Sequence, residues 1–252
     1  ISGLLRMKTK RNISNIARTA GIAEQNLQQF ISDSPWSGEA LISVLQQDVA
    51  AHPHFQTGCV LLIDESAEEK AGEESAGAGR QHNGRLGKVE LSQVGVFLSL
   101  TKEGYHNWIG GELFLPERWF TPEYAARRKR IGLPKERTFA TKLELALQLV
   151  KEAQANGVVF EAVDCDSLYG RSGELRDAFQ AEGFEYYADV PNNTQVYLSK
   201  PRCFYPVTKK GKRSKNLKVI GTAYPVAALP AHAPIEWEQI TLRPNERGLL
   251  RA

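Results

Sequence analysis

Cysteine is scarce in this chain. Only Cys59, Cys165 and Cys203 carry thiols, an odd number, and no Cys-x-x-Cys or Cys/His spacing suited to zinc is present. This argues against a disulfide framework or a zinc module, and free thiols in a reducing cytosol are expected. No run of eighteen apolar residues occurs, so no membrane-spanning helix is expected. No secretory signal pattern opens the sequence. It begins at Ile1 with residues that already look helical, and both ends are expected to be cut from something longer. A strong charge of one sign is missing as well: the net charge is +3 and the pI near 8.7. That balance does not by itself call for nucleic acid, so the local distribution has to decide. What is present is enough apolar side chain, 42% of 252 residues, for one large domain or two smaller ones.

The stretch from Val60 to Leu100 organises the rest. The apolar run Val60-Leu61-Leu62-Ile63 gives way to Asp64, then to a polar, Gly-rich segment, then to a second apolar run from Val94 to Leu100. Four apolar residues bounded by polar ones predict a strand buried on both faces. A carboxylate at the carboxyl end of such a strand lies where open α/β sheets place their chemistry. Trp108 to Leu115 reads as a further strand, joined to Val94–Leu100 as an antiparallel hairpin through Lys102-Glu103-Gly104. A long crossover follows, punctuated by Pro116, Pro122 and Pro134 and carrying Arg127-Arg128-Lys129-Arg130. Leu143 to Ala155 has the spacing of an amphipathic helix ended by Asn156-Gly157. Val158 to Val163 predicts a second buried strand, running into Asp164-Cys165-Asp166. A helix over Gly173 to Ala181 and a strand over Phe184 to Val190 complete the pattern.

Ahead of this core, Asn12 to Ile31 reads as two helices interrupted at Gly21. Ser32-Asp33-Ser34-Pro35-Trp36 then breaks the chain before a helix over Ser37 to Val49. The Ile16-Ala17, Gly21-Ile22, Leu27 spacing is compatible with a helix-turn-helix whose flanking Arg6, Lys8, Lys10, Arg11 and Arg18 suit phosphates. It is equally compatible with an ordinary helical hairpin. Beyond the core, Lys200, Arg202, Lys209, Lys210, Lys212, Arg213, Lys215 and Lys218 fall in a run without an acid, with Phe204 and Tyr205 between them. Such a run is either a solvated loop or a phosphate-binding surface.

The order β, β, β, helical crossover, β, α, β is that of ribonuclease H-like domains. There the first and fourth strands lie side by side, so Asp64 and either Asp164 or Asp166 would share an edge of the sheet. Alternation from Val163 points Asp164 and Asp166 to the same face and does not choose between them. Paired carboxylates at neighbouring strand ends suit Mg²⁺ or Mn²⁺; singly, each is better explained as a helix cap or solvated strand end, and only the pair in this element order brings the two readings level.

Several blocks resemble, in order, those of bacterial insertion-sequence transposases with a DDE triad, the DDE superfamily endonucleases. Ser32 to Trp36 resembles a segment ahead of the catalytic domain. Leu62-Ile63-Asp64-Glu65-Ser66 resembles the family's Asp-Asp-Thr block, with Glu and Ser where Asp and Thr are usual. Arg80-Gln81, Gly84, Gly87-Lys88 and Gln93 to Val96 resemble the next block, Leu113 to Trp119 the Leu-x-Leu-Pro-x-x-Trp block, and Asp166-Ser167-Leu168-Tyr169-Gly170 the Asp-x-x-Tyr-Gly block. The resemblance selects Asp166 over Asp164 and makes Asp64 and Asp166 the first two catalytic acids and the metal ligands. It implies a mixed RNase H-like sheet flanked by helices. The expected division is an N-terminal helical region over 1–50, a catalytic core over 51–195 and a basic, partly β insertion over 196–252.

The implied function is metal-dependent cleavage and strand transfer of element ends, by in-line attack at phosphorus without a covalent enzyme intermediate. Asp64 would bridge two Mg²⁺ or Mn²⁺ ions and Asp166 hold one. Double-stranded DNA is the implied partner, both terminal inverted repeats and target, bound by a homodimer in the bacterial cytoplasm at the nucleoid. Arg80, Lys88 and Arg171 are candidates for phosphate, beside Lys209, Lys210, Lys212, Arg213 and Lys215 in the insertion. The family's third acid is a Glu on a later helix, and Glu236, Glu238 and Glu246 fit it poorly. The chain is therefore expected either to stop short of that Glu or to be a DNA-binding remnant or accessory subunit that cannot cut.

Overall fold

The structure is a computed structural model that describes residues 12–35, 37–84, 86–207, 211–237, 241–245 and 248–251, the last two segments through their backbone. Arg6, Lys8, Lys10, Arg11, Trp36, Lys209, Lys210, Glu238 and Glu246 lie outside the described residues. The chain divides into two compact units, Ile1–Gln56 with Glu152–Val159, and Thr57–Lys151 with Phe160–Ala252. Among the described residues no helix is long and apolar enough to cross a membrane.

The first unit is helical. Asn12 caps α1 (Ile13–Ala20) by accepting from the Asn15 N–H at 2.9 Å, and Gly21 ends it with φ +70°, a conformation that favours glycine. α2 (Glu24–Ser32) follows after a short turn, and Ser37 caps α3 (Gly38–Ala51) through the Ala40 N–H. Ala17 is buried in α1, while Phe30 and Ile31 of α2 and Leu41 and Val44 of α3 remain exposed. The buried polar Gln46 accepts from the Asn156 side-chain amide at 2.6 Å.

The second unit is built on a mixed sheet. Its strands are β1 (Val60–Glu69), β2 (Gly79–Asn83), β3 (Lys88–Lys102) and β4 (Tyr105–Phe114). After the crossover with α4 (Ala125–Arg130) and α5 (Lys142–Ala155) come β5 (Ala162–Cys165), α6 (Ser167–Gly170), α7 (Gly173–Ala181) and β6 (Tyr186–Ala188). The spatial order is β4-β3-β1-β5-β6. The pairings β4–β3 and β3–β1 run antiparallel, and β5 and β6 run parallel to β1. This is the RNase H-like order expected from the sequence. The β3–β4 connection uses Glu103 and Gly104, both with positive φ (48° and 87°), as a two-residue hairpin turn requires.

Three local expectations change. β1 does not end at Asp64 but continues to Glu69, because β3 supplies ladder partners along its whole length, from Val60↔Thr101 to Glu69↔Ser92. The second parallel strand is Ala162–Cys165 rather than Val158–Val163: pairing with β1 begins only at Val60↔Ala162. The Glu161 N–H reaches the Cys59 carbonyl, and its carboxylate the Gly58 N–H. The Gly-rich segment contains a strand, β2, which pairs with β3 over Asn83↔Lys88 to Gly79↔Ser92. Because Ser92 also pairs with Glu69 of β1, β2 occupies the opposite edge of β3, end to end with β4.

The core lies on the face of the sheet that carries Leu61 and Ile63 of β1, Val94, Val96, Leu98 and Leu100 of β3 and Val163 of β5. Leu145, Ala146, Leu149 and Val150 of α5 are also buried. The crossover is locked to the segment before β2. Trp119 is buried, and its Nε1–H and the Arg118 guanidinium both donate to the Ala78 carbonyl, at 3.1 and 3.0 Å. Arg127 and Arg130 pair with Glu74, and Arg128 donates to the Trp119 and Thr121 carbonyls. Three of the four cations in the crossover cluster thus serve its packing.

After β6 the chain forms small antiparallel pairs. β7 (Gln195–Tyr197) joins β10 (Ala223–Pro225), and β8 (Arg202–Phe204) joins β9 (Lys218–Ile220). α8 (Leu229–His232) and the hairpin of β11 (Thr241–Asn245) with β12 (Gly248–Arg251) follow. The 196–252 segment is therefore partly β, as expected.

Candidate active site

The two acids singled out by sequence meet at the edge where β5 stops. The parallel register runs from Val60↔Ala162 to Ile63↔Cys165, and its next step sets Asp64 opposite Asp166. Neighbouring strands lie about 4.8 Å apart. Alternation puts Leu62 and Asp64 on one face of β1, and Leu61, Ile63 and Glu65 on the other. Asp64 Oδ1 accepts from the Glu65 N–H at 2.7 Å. Asp166 caps α6, its Oδ1 accepting from the Leu168 N–H at 2.9 Å. Cap and acid are one residue here.

Both carboxylates line an open cavity of about 670 Å³, together with Glu65, Ser66, His82, Lys142, Ser167 and Arg171. Partial burial raises the Asp64 carboxyl above the ordinary carboxylate range. The Glu65 N–H opposes this, and the charges of Asp166 and then Glu65 add to it. Asp164 sits one step back, within β5 and opposite Leu62, outside the residues that line the cavity. It is also raised, first by burial and then by Asp189. Burial, with Asp164 and Asp166 beside it, pushes the Cys165 thiol up to about 11, so this cysteine is an inert core group. Beneath the acids, the wholly buried Tyr169 phenol is raised strongly by burial and then by Glu65, Asp166 and Asp64.

Glu65 and Lys142 were not among the predicted site residues. Glu65 turns away from Asp64 and meets the Lys142 ammonium at 2.5 Å, both side chains being about four-fifths buried. No periodic signal marks Lys142, and 77 positions separate the pair in sequence.

Of the predicted phosphate contacts, Arg171 lines the cavity. Arg80 is exposed on β2, and Lys88 pairs with Glu90 at 3.2 Å, both apart from the cavity-lining residues. Lys212, Arg213 and Lys215 are exposed, Arg213 lying 5.5 Å from the Tyr205 ring centroid. Glu236 is exposed and does not line the cavity.

The donor set fits a hard divalent cation. Burial is the main cause of the raised Asp64 carboxyl, with the Asp166 charge adding to it, and a cation between the two carboxylates would relieve that added repulsion. Mg²⁺ in particular takes one or two carboxylates and completes its shell with waters and phosphate oxygens. Among the described residues, no group of three or more His, Cys, Asp and Glu side chains is placed to hold a metal.

A family model described as DDE superfamily endonuclease matches residues 1–249. The chain belongs to this family. A probable transposase for insertion sequence element IS701 from Microchaete diplosiphon is 29% identical over 175 residues, which cover 66% of this chain and 40% of the relative. Among solved structures, the Mos1 transposase paired-end complex with left transposon end matches at 12% identity and a TM-score of 0.24, over 73% of this chain and 56% of that one. The Drosophila P element transposase strand transfer complex matches at 10% and 0.25, over 72% and 39%. This DDE superfamily endonuclease chain thus spans less than half the length of the curated relative it matches.

Proposed function

We propose that this chain carries the catalytic core of an insertion-sequence DNA transposase, which cleaves the ends of its element and transfers them to target DNA. The observation that carries the reading is that Asp64 on β1 and Asp166, the residue that follows the parallel strand β5, line one cavity in a chain of the DDE superfamily endonucleases. In this reading Asp64 and Asp166 would hold Mg²⁺ or Mn²⁺. Divalent ions bound there would activate an attacking water or 3′-hydroxyl and stabilise the leaving oxygen.

The rigid β1–β5 pair fixes the spacing of the acids, and the Asp166 cap fixes its carboxylate against α6. Arg171 offers its guanidinium to the strand that enters the cavity, while Arg80 and Lys88 track phosphates beyond it. Lys209, Lys210, Lys212, Arg213 and Lys215 hold duplex DNA from the 196–252 segment. The helical region over 1–50 contributes further DNA contact, and 51–195 is the catalytic core. The whole protein works as a homodimer on the element's terminal inverted repeats and the target, at the nucleoid of a bacterial cell.

The test uses the full-length protein and duplexes carrying the element's ends. Asp64→Ala or Asp166→Ala should remove cleavage while leaving duplex affinity within about twofold, since neither carboxylate attracts phosphate. Cleavage by Asp64→Ala at the normal rate would falsify the site. A wild-type protein that binds these ends and never cuts them, with Mg²⁺ or Mn²⁺, would point to the accessory, non-cutting reading.

A further inference from the structure

Lys142 is a cation in a position that folding stability does not favour. It is the first residue of α5, where the helix dipole presents its positive end and disfavours a cation. Its partner Glu65 is largely buried, and desolvating such a pair consumes much or all of its Coulomb attraction. The surroundings nevertheless hold this ammonium firmly. Thr141 and Glu144 form a capping box: Thr141 Oγ1 accepts from the Glu144 N–H at 3.2 Å, and the Glu144 carboxylate accepts from the Thr141 N–H at 2.7 Å. This fixes the start of α5 and the stem of Lys142. The Phe114 ring lies 5.6 Å from Nζ, and Glu65 Oε2 lies 2.5 Å from it.

That fixed charge stands in the wall of a cavity lined by Asp64, Glu65 and Asp166. A phosphate entering there meets three carboxylates and needs a positioned donor. An ammonium has three N–H donors, and Glu65 takes one of them. Alternation along β1 points Glu65 to the α5 side while Asp64 faces away, so one strand step supplies both a cation-binding acid and the tether of a cation.

We propose that Lys142, held by Glu65, contacts a phosphate oxygen of the DNA strand that lies over Asp64 and Asp166. Lys142 is then a substrate-contacting residue and Glu65 a positioning residue. The assignment rests on the reading of this cavity as a DNA-cutting site.

The experiment measures binding of the full-length protein to an element-end duplex by anisotropy across a salt series, for wild type, Lys142→Gln, Lys142→Arg and Glu65→Gln. Lys142→Gln should weaken binding about three- to tenfold and lower the slope of log K against log salt by about one. Lys142→Arg should restore the slope, and Glu65→Gln should fall between. A scan of duplexes with one methylphosphonate at each position should find a position where wild type loses the same factor and Lys142→Gln loses nothing further. An unchanged slope in Lys142→Gln, or methylphosphonate effects equal in both proteins at every position, overturns the assignment. So does an equal loss in Lys142→Gln and Lys142→Arg accompanied by a lowered Tm, which would mark a structural role. Cleavage by Asp64→Asn separates the two readings. If it cuts normally, the site itself is misread; if it is inert while the Lys142→Gln slope is unchanged, only Lys142 is misassigned.

Discussion

Asp64 has a carboxyl that holds its proton more tightly in the folded chain than in the unfolded one: partial burial comes first, then the charges of Asp166 and Glu65, against the opposing Glu65 N–H. A raised folded-state pKa means that the native state binds the proton more tightly than the unfolded chain. Without metal, stability is therefore lost as pH rises from the ordinary carboxylate range through the folded value. Asp64→Asn should raise the Tm at neutral pH, and the gain should vanish in acid, where both states carry the proton. Mn²⁺ bound at the proposed site should reverse the sign for wild type, because a ligand that binds only the native state stabilises it, by about 2.7 kcal/mol at a hundredfold excess over Kd. Melting curves at about pH 2.5, below the ordinary carboxylate range, and at pH 7 check the first half, and melts at pH 7 with and without Mn²⁺ check the second. An Asn variant stabilised by Mn²⁺ as much as wild type would remove Asp64 from the metal site. Asp64 was legible in the sequence because it follows an apolar run, whereas Asp166 was separated from Asp164 only by the resemblance of Asp166 to Gly170 to a family block. Lys142 and Glu65 were not legible, because an ion pair across 77 positions leaves no periodic trace.

At the scale of elements, Gly170 shows how closely the strand-to-helix turn under the site is packed. A Cβ there would lie 2.0 Å from the Asp189 carbonyl oxygen, a backbone atom that cannot step aside. Asp189 is itself tied to β5 through its N–H to the Cys165 carbonyl. Gly170→Ala should therefore cost about 1–3 kcal/mol in urea denaturation, as forced overpacking does. It should also disturb Mn²⁺ binding, since the displaced turn begins at Asp166. A second element-level expectation concerns the crossover. Trp119→Phe keeps most of the buried ring but removes the donor to Ala78, and should cost about 1 kcal/mol or somewhat more by the same measurement.

The order of strands and the α5 helix were readable because their apolar periodicity is strong. β2 was not: Gly-Arg-Gln-His-Asn has little strand propensity and pairs only because β3 runs on past β4 and offers an open edge. The start of β5 was misplaced because Val158 to Phe160 is apolar like a strand. Yet the chain there is still returning from α5, and the ladder begins only at Ala162.

For the whole molecule, the net charge of +3 conceals a sharp partition. Between Asp189 and Glu236 there are eight lysines and arginines and no acid, so the remainder of the chain is net acidic. β8 pairs with β9, which brings Arg202–Phe204 beside Lys218–Ile220, and Lys212, Arg213 and Lys215 in the connection between them are exposed. Arg202 lies 5.7 Å from the Phe204 ring centroid and Arg213 5.5 Å from that of Tyr205, so aromatic faces support the two guanidinium groups. Under the proposed function, these cations would hold DNA while Asp64 and Asp166 cut it. Charge reversal at Lys209, Lys210, Lys212 and Arg213 should then weaken duplex binding to a similar degree on every sequence. It should also flatten the salt dependence by about 0.9 for each phosphate no longer neutralised, up to about 3.6 for all four. Mn²⁺ affinity at Asp64 and Asp166 should stay unchanged. Anisotropy titrations across a salt series give the slope. If it does not move, the connection is a solvated face and the phosphate contacts belong to Arg80, Lys88 and Arg171.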